Sequence, residues 1–257
     1  MARSGSSTSG RGATPRAIAP GQLALDRARR PTGHGGWRPG AGRPRGRTKV
    51  PHLTRPRFAA RYPQHVTLRL VAGLGSLRRH HLVARIHASI AAAHRDDFRV
   101  VHFAILANHI HLVVETSDAM SLARRMQGLA IRIARTTNRA LVRRGRLFAE
   151  RYHARALRTP REVRNALAYV LHNARGHAAE RNQRLSTRWI DPCSSGPWFA
   201  DWRASPSHPP PWLVALRRRP DPTRPARTWL LTTGWRRHGA IALDERGPPA
   251  PRSSPVA

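Results

Sequence analysis

Cys193 is the only cysteine in a chain of 257 residues. An internal disulfide is therefore excluded, as is any site built on paired cysteines, and a reducing cytosol suits the chain. Acids are scarce: 13 Asp and Glu stand against 47 Lys and Arg, for a formal net charge of +34. Lysine is nearly absent as well, Lys49 being the only one. No apolar run approaches the length of a membrane span. The N-terminus lacks the apolar stretch of a secretory signal.

Coding bias in a GC-rich genome accounts for arginine over lysine. It does not account for the scarcity of acids, because GC-rich codons also encode Asp and Glu. An enzyme acting on small neutral substrates has no use for such a field. A polyanion does, since each neutralised phosphate releases condensed counterions. Nucleic acid is the partner expected. An anionic membrane surface comes second, because no basic helix with a bulky apolar face stands out.

Composition divides the chain in three. Residues 1–57 carry Gly, Pro, Ser and Arg with a single acid, Asp26, and read as a disordered basic arm. Residues 58–182 carry periodic apolar patterns and read as the folded domain. Residues 183–257 are rich in Pro, Arg and Trp and read as a mostly irregular C-terminal extension.

Within the middle part, residues 64–71 (QHVTLRLV) alternate apolar and polar, which predicts a strand. Residues 77–94 have helical spacing, with Ser76 expected as the N-cap. Residues 98–107 and 109–116 (HIHLVVET) predict two further strands, and residues 121–141 a second helix. Residues 151–158 are expected as a fourth strand. Thr159, Pro160 and Glu162 open a third helix with a capping box, and Gly176 is expected to close it. This order predicts an α+β fold: a ferredoxin-like antiparallel sheet with helices packed on one face, flanked by disordered basic tails.

Two segments carry chemistry. In the strand 109–116, His109 and His111 share one face while Ile110, Leu112 and Val114 take the other. Two imidazoles at that spacing can converge on one metal ion. His-x-His alone also describes two surface histidines, and the chain has 15 histidines. In the third helix, Tyr169 and Asn173 are one turn apart beside an apolar stripe. A phenol there can be a nucleophile, and the Asn173 amide can supply oxygen to a hard cation such as Mg²⁺. An ordinary half-buried tyrosine fits that pattern too.

Taken in order, NHIHLVVE at 108–115, GRLFAERYHA at 145–154 and AYVLHNAR at 168–175 resemble the single-tyrosine HUH transposase family. The branch they resemble is that of REP-associated tyrosine transposases and small insertion-sequence transposases. The resemblance covers residues 58–178. It implies His109 and His111 as metal ligands, Asn173 completing a Mg²⁺ or Mn²⁺ site, and Tyr169 as the catalytic nucleophile. It implies a bacterial cytoplasmic protein at the nucleoid, monomer or homodimer, that cleaves and rejoins single-stranded or hairpin DNA through a 5′-phosphotyrosine. Two positions depart from the family pattern: Ala174 follows Asn173 where proline is common, and Leu106-Ala107 stands where Met-Pro is common. Neither removes a ligand or the nucleophile. Tyr152, in the Arg-Tyr-His segment, is the rival tyrosine and is read as a sheet or DNA-contact residue.

Residues 42–49 (GRPRGRTK) resemble an AT-hook, with Thr48 in place of the usual proline. Arg45 and Arg47 would meet the negative potential of the minor groove of AT-rich duplex, with Arg43 a further expected DNA contact. A solvated basic linker fits equally. Arg151 and Arg155 are the DNA contacts expected in the folded domain. Six tryptophans lie beyond residue 183, and they suit either base stacking or a tail tucked against the domain. Two other functions remain open: a non-catalytic hairpin-binding relative and an RNA-binding protein. The sheet lacks the aromatic stacking motif that RNA recognition commonly uses.

Overall fold

The computed structural model describes residues 57–204 and 208–245; the arm, with Arg43, Arg45 and Arg47, lies outside them. The elements are β1 (Gln64–Arg69), α1 (His80–Ala91), β2 (Phe98–Ile105), β3 (His109–Thr116), α2 (Ala119–Ala140), β4 (His153–Ala156) and α3 (Pro160–Glu180). Two short helices follow, α4 (Pro211–Arg217) and α5 (Trp229–Thr232). The sheet is antiparallel in the order β2-β3-β1-β4. That order, with the β-α-β-β-α-β succession, is the ferredoxin-like arrangement expected. No helix among the described residues is long and apolar enough to cross a membrane.

Alternation along the strands gives the sheet two apolar faces. Val66, Leu68, Ile110, Leu112 and Val114 meet Leu82, Ile86, Ile90, Leu122, Met126 and Ile133 in a first core. α1 and α2 therefore cover one face, as expected of the helices. α3 lies on the other, where Val101, Ala104 and Val113 meet Val163, Leu167 and Val170. The C-terminal extension completes this second core with Phe199, Trp202, Leu230, Leu231, Trp235 and Ile241. Periodicity shows which side of a helix is apolar, not which side of a sheet it meets, so nothing local sets α3 apart from the other helices.

Helix ends differ from expectation at three points. α1 starts after Arg79, which makes no side-chain cap; the Ser76 hydroxyl instead accepts the Arg78 N–H at 3.1 Å. α2 is capped by Asp118, whose carboxylate accepts the N–H groups of Met120 and Ser121, both at 2.8 Å. α3 opens with the Thr159–Glu162 capping box, as expected, but runs through Gly176 to Glu180. A mid-helix glycine costs only about 1 kcal/mol, and burial of Ala174 and Ala178 on either side continues the packing stripe.

Polar contacts tie the extension to the sheet. The carboxylate of buried Glu115, on β3, accepts the Arg227 and Thr228 N–H groups and the Thr228 hydroxyl at 2.7–3.1 Å. Arg78 holds Asp191 through two bonds of 2.7 and 2.9 Å. Along the outer edge of β2, Ile105 N–H donates to Cys193 O, Ser195 N–H to Phe103 O and Arg224 N–H to Val100 O, at 2.8–3.0 Å.

Trp235 is 1% exposed, and its indole N–H donates to Leu231 O at 3.0 Å. Trp235→Ala is therefore expected to destabilise the chain by about 3–5 kcal/mol, as for large buried aromatics elsewhere. Urea unfolding followed by circular dichroism measures this. A loss below about 1 kcal/mol would mean that the extension adds little to the core.

Candidate metal and nucleophile site

The strand pairing that buries Ile110, Leu112 and Val114 turns His109 and His111 toward α3. Their ring centroids are 4.7 Å apart. His109 Nδ1 lies 2.7 Å from Asn108 Oδ1, which leaves Nε2 as the ring's remaining donor atom. His111 is held similarly from β1: its Nδ1 lies 3.0 Å from Thr67 Oγ1 and 3.2 Å from His65 Nε2. Its Nε2 faces the Tyr169 hydroxyl at 3.4 Å.

Burial sets the protonation of this cluster. It lowers His109 to about 4, helped by the charges of His177 and Arg69. It lowers His65 to about 4, helped by Arg155 and His153. His111 falls well below the ordinary histidine value, chiefly by burial and then through its histidine neighbours. All three are neutral at pH 7, the form in which imidazole ligates metal.

α3 brings Tyr169 against His111 and His177 against His109, with Asn173 midway between them at one-turn spacing. The Tyr169 ring stands edge-on to His111, 5.0 Å between centroids, and 5.7 Å from His65. Burial raises its phenol above the usual value of 10, opposed in part by the Asn173 side chain. Asn173 is 7% exposed, and its Oδ1 has no hydrogen-bond partner. His177 lies edge-on to His109 at 5.7 Å, with its Nδ1 2.8 Å from Glu180 Oε2. Sequence reading missed His177, although its place one turn beyond Asn173 was a signal.

Among the described residues, no three His, Cys, Asp or Glu side chains form a group that could hold a metal ion. Asn173, on α3, offers an unpartnered amide oxygen. A buried carbonyl oxygen without a partner is unusual in folded proteins. Neutral imidazole nitrogens and an unpartnered amide oxygen are donor types that a divalent ion accepts.

Basic groups border the same face. Arg69 pairs with His109 across the β1–β3 ladder, and Arg155 pairs with His65 across β1–β4. Arg155 is exposed and 3.4 Å from Glu162, and Arg151 is exposed just before β4. Tyr152 packs against the first core, on the opposite side of the sheet from Tyr169. A cleft of about 360 Å³ is lined by residues 69–75 and Asn108.

The sequence matches no family model and no curated protein. Among solved structures, the chain resembles a REP-associated tyrosine transposase bound to a REP hairpin. The likeness has 16% identity and a TM-score of 0.41, over 50% of this chain and 74% of that one. Likeness at this level assigns neither family nor activity.

Proposed function

We propose that this chain is a transposase that cleaves and rejoins single-stranded DNA beside hairpins through a covalent 5′-phosphotyrosine on Tyr169. The observation that carries the reading is the placement of the Tyr169 hydroxyl. It lies 3.4 Å from His111 Nε2, one helical turn from the unpartnered Asn173 Oδ1.

His109, His111 and Asn173 would hold a Mg²⁺ or Mn²⁺ ion, which when bound polarises the scissile phosphate and offsets charge on the departing oxygen. The remaining work falls to the chain. Arg69, Arg151 and Arg155 draw the phosphate backbone onto the α3 side of the sheet. The phenolic oxygen of Tyr169 bonds to phosphorus as the P–O3′ bond breaks. The phenol gives up one proton and the departing 3′-oxygen gains one. The free 3′-hydroxyl can later attack the phosphotyrosine, so rejoining conserves the bond energy and needs no external supply.

The test is incubation of the full chain with labelled single-stranded hairpin DNAs and Mg²⁺ or Mn²⁺. A DNA-bound species that survives SDS supports the proposal. DNA cut without any covalent species would make the protein a hydrolytic nuclease and defeat it.

The arm enters the proposal as a second contact, to AT-rich duplex. Deleting residues 1–50 removes Arg43, Arg45 and Arg47. It is expected to weaken duplex binding and to reduce the slope of log K against log salt by about 2–3, from ~0.9 per phosphate contact. Fluorescence anisotropy across a salt series measures it; an unchanged slope removes the arm from the proposal.

A further inference from the structure

We infer that Thr67 and His65, on β1, are positioning residues that fix the His111 ring in the tautomer a metal ligand requires. This rests on the proposed role of His111 as a ligand. An imidazole that offers Nε2 to an ion must carry its proton on Nδ1, and a hydrogen-bond acceptor at Nδ1 selects that form.

His111 Nδ1 meets two groups able to accept its proton, Thr67 Oγ1 at 3.0 Å and His65 Nε2 at 3.2 Å. Both come from the strand beside it. Thr67 is the direct partner of His111 in the ladder, and His65 is the partner of Val113 on the same face. His65 is stacked on His111, with centroids 5.1 Å apart and planes at 29°. His65 and His111 are 8% and 4% exposed, so bulk water does not replace these contacts. On the other side of the ring, the Tyr169 hydroxyl faces Nε2. A phenol donates more readily than it accepts, so it too favours a lone pair on Nε2 and the proton on Nδ1. Three groups from two elements are therefore placed to favour the same tautomer. Thr67 and His65 touch neither DNA nor ion in this role; they act through His111.

The test measures Mn²⁺ affinity of the full-length chain by calorimetry, without DNA, so that the readout is binding rather than cleavage. Thr67→Val keeps the shape of the side chain and removes its oxygen. It is expected to weaken Mn²⁺ binding about 10–100-fold, the usual effect of losing a partner behind a ligand. Thr67→Ser restores the hydroxyl and is expected to bind within about threefold of wild type, a residue of the imperfect rotamer. His65→Phe keeps a stacked ring without the acceptor and gives a second, independent loss. Circular dichroism checks that each variant folds; if Thr67→Val does not, His65→Phe decides.

Wild-type affinity in both Thr67→Val and His65→Phe would overturn the inference. Equal weakening in Thr67→Ser and Thr67→Val would also overturn it, because packing rather than the hydroxyl would then be the cause. His111→Ala separates the two levels. If it loses Mn²⁺ while Thr67→Val and His65→Phe keep it, the ligand assignment stands and the positioning role falls. If it binds Mn²⁺ like wild type, both fall.

Discussion

Tyr169→Phe is expected to fold, to bind hairpin DNA, and to form no covalent adduct. The ring contacts survive the change: the edge-on approach to His111 at 5.0 Å belongs to the ring, not to the hydroxyl. Only the oxygen 3.4 Å from His111 Nε2 is lost. A partly buried hydroxyl of this kind contributes about 1 kcal/mol, so stability should change little. Reactivity should change greatly, because the attacking atom is gone. Removing a nucleophile costs on the order of 10⁴–10⁶ in rate where it has been measured. Burial raises the phenol above its ordinary value, so at pH 7 it is held protonated. The proposed mechanism therefore calls for a group at the site that takes up the phenolic proton or offsets the charge it leaves. Tyr152→Phe is the control. Its ring sits with the first core on the far side of the sheet, and its adduct yield should stay near wild type. The measurement is SDS-stable, labelled DNA on the protein. An adduct that vanishes with Tyr152→Phe and persists with Tyr169→Phe would move the nucleophile off α3.

His111→Ala should abolish cleavage and leave DNA binding nearly intact. The chain carries 47 Lys and Arg against 13 Asp and Glu, and this substitution removes none of that positive charge. Cleavage, in the proposed mechanism, draws on one ion and two imidazoles. Losing several kcal/mol of charge stabilisation corresponds to a fall of roughly 10³-fold or more. Chelation by EDTA should reproduce the effect in wild type, and Mn²⁺ should reverse it. The substitution also strands Thr67 and His65 beside a hole, at a cost of about 1–3 kcal/mol in stability. Folding is therefore checked before rates are compared. Gel shift with a labelled hairpin measures binding, and adduct yield measures cleavage. Full wild-type cleavage in EDTA would remove the metal from the mechanism.

The ferredoxin-like half of the fold was legible because its strands alternate and its helices keep period. HIHLVVET reads directly as a strand with two histidines on one face, and Thr159 through Glu162 reads directly as a helix start. The partners of His111 were not legible. Thr67 and His65 lie 44 and 46 residues away in sequence. They meet His111 only through the register of β1 on β3, which no local pattern encodes. The tryptophans show the same limit. Trp202 and Trp235 are buried at 7% and 1%, whereas Trp212 and Trp229 are 41% and 48% exposed. In sequence all four sit in the same Pro- and Arg-rich surroundings. What sorts them is contact with α3 and the sheet, a long-range property. The end of α3 was misread for a related reason: Gly176 is a local stop signal, and packing on either side of it overrode that signal.

The covered edge of β2 bears on how copies of this protein behave when crowded together. An open sheet edge is a row of unpaired N–H and C=O groups, and a second molecule can add its own strand there. Cys193, Ser195 and Arg224 already take up that row along β2. The opposite edge belongs to β4, which is four residues long and carries Arg155, with Arg151 and Arg158 close by. Two such edges brought together would set like charges face to face. Strand addition, the usual first step toward fibrous aggregates, thus meets a short, mutually repelling edge on one side and an occupied one on the other.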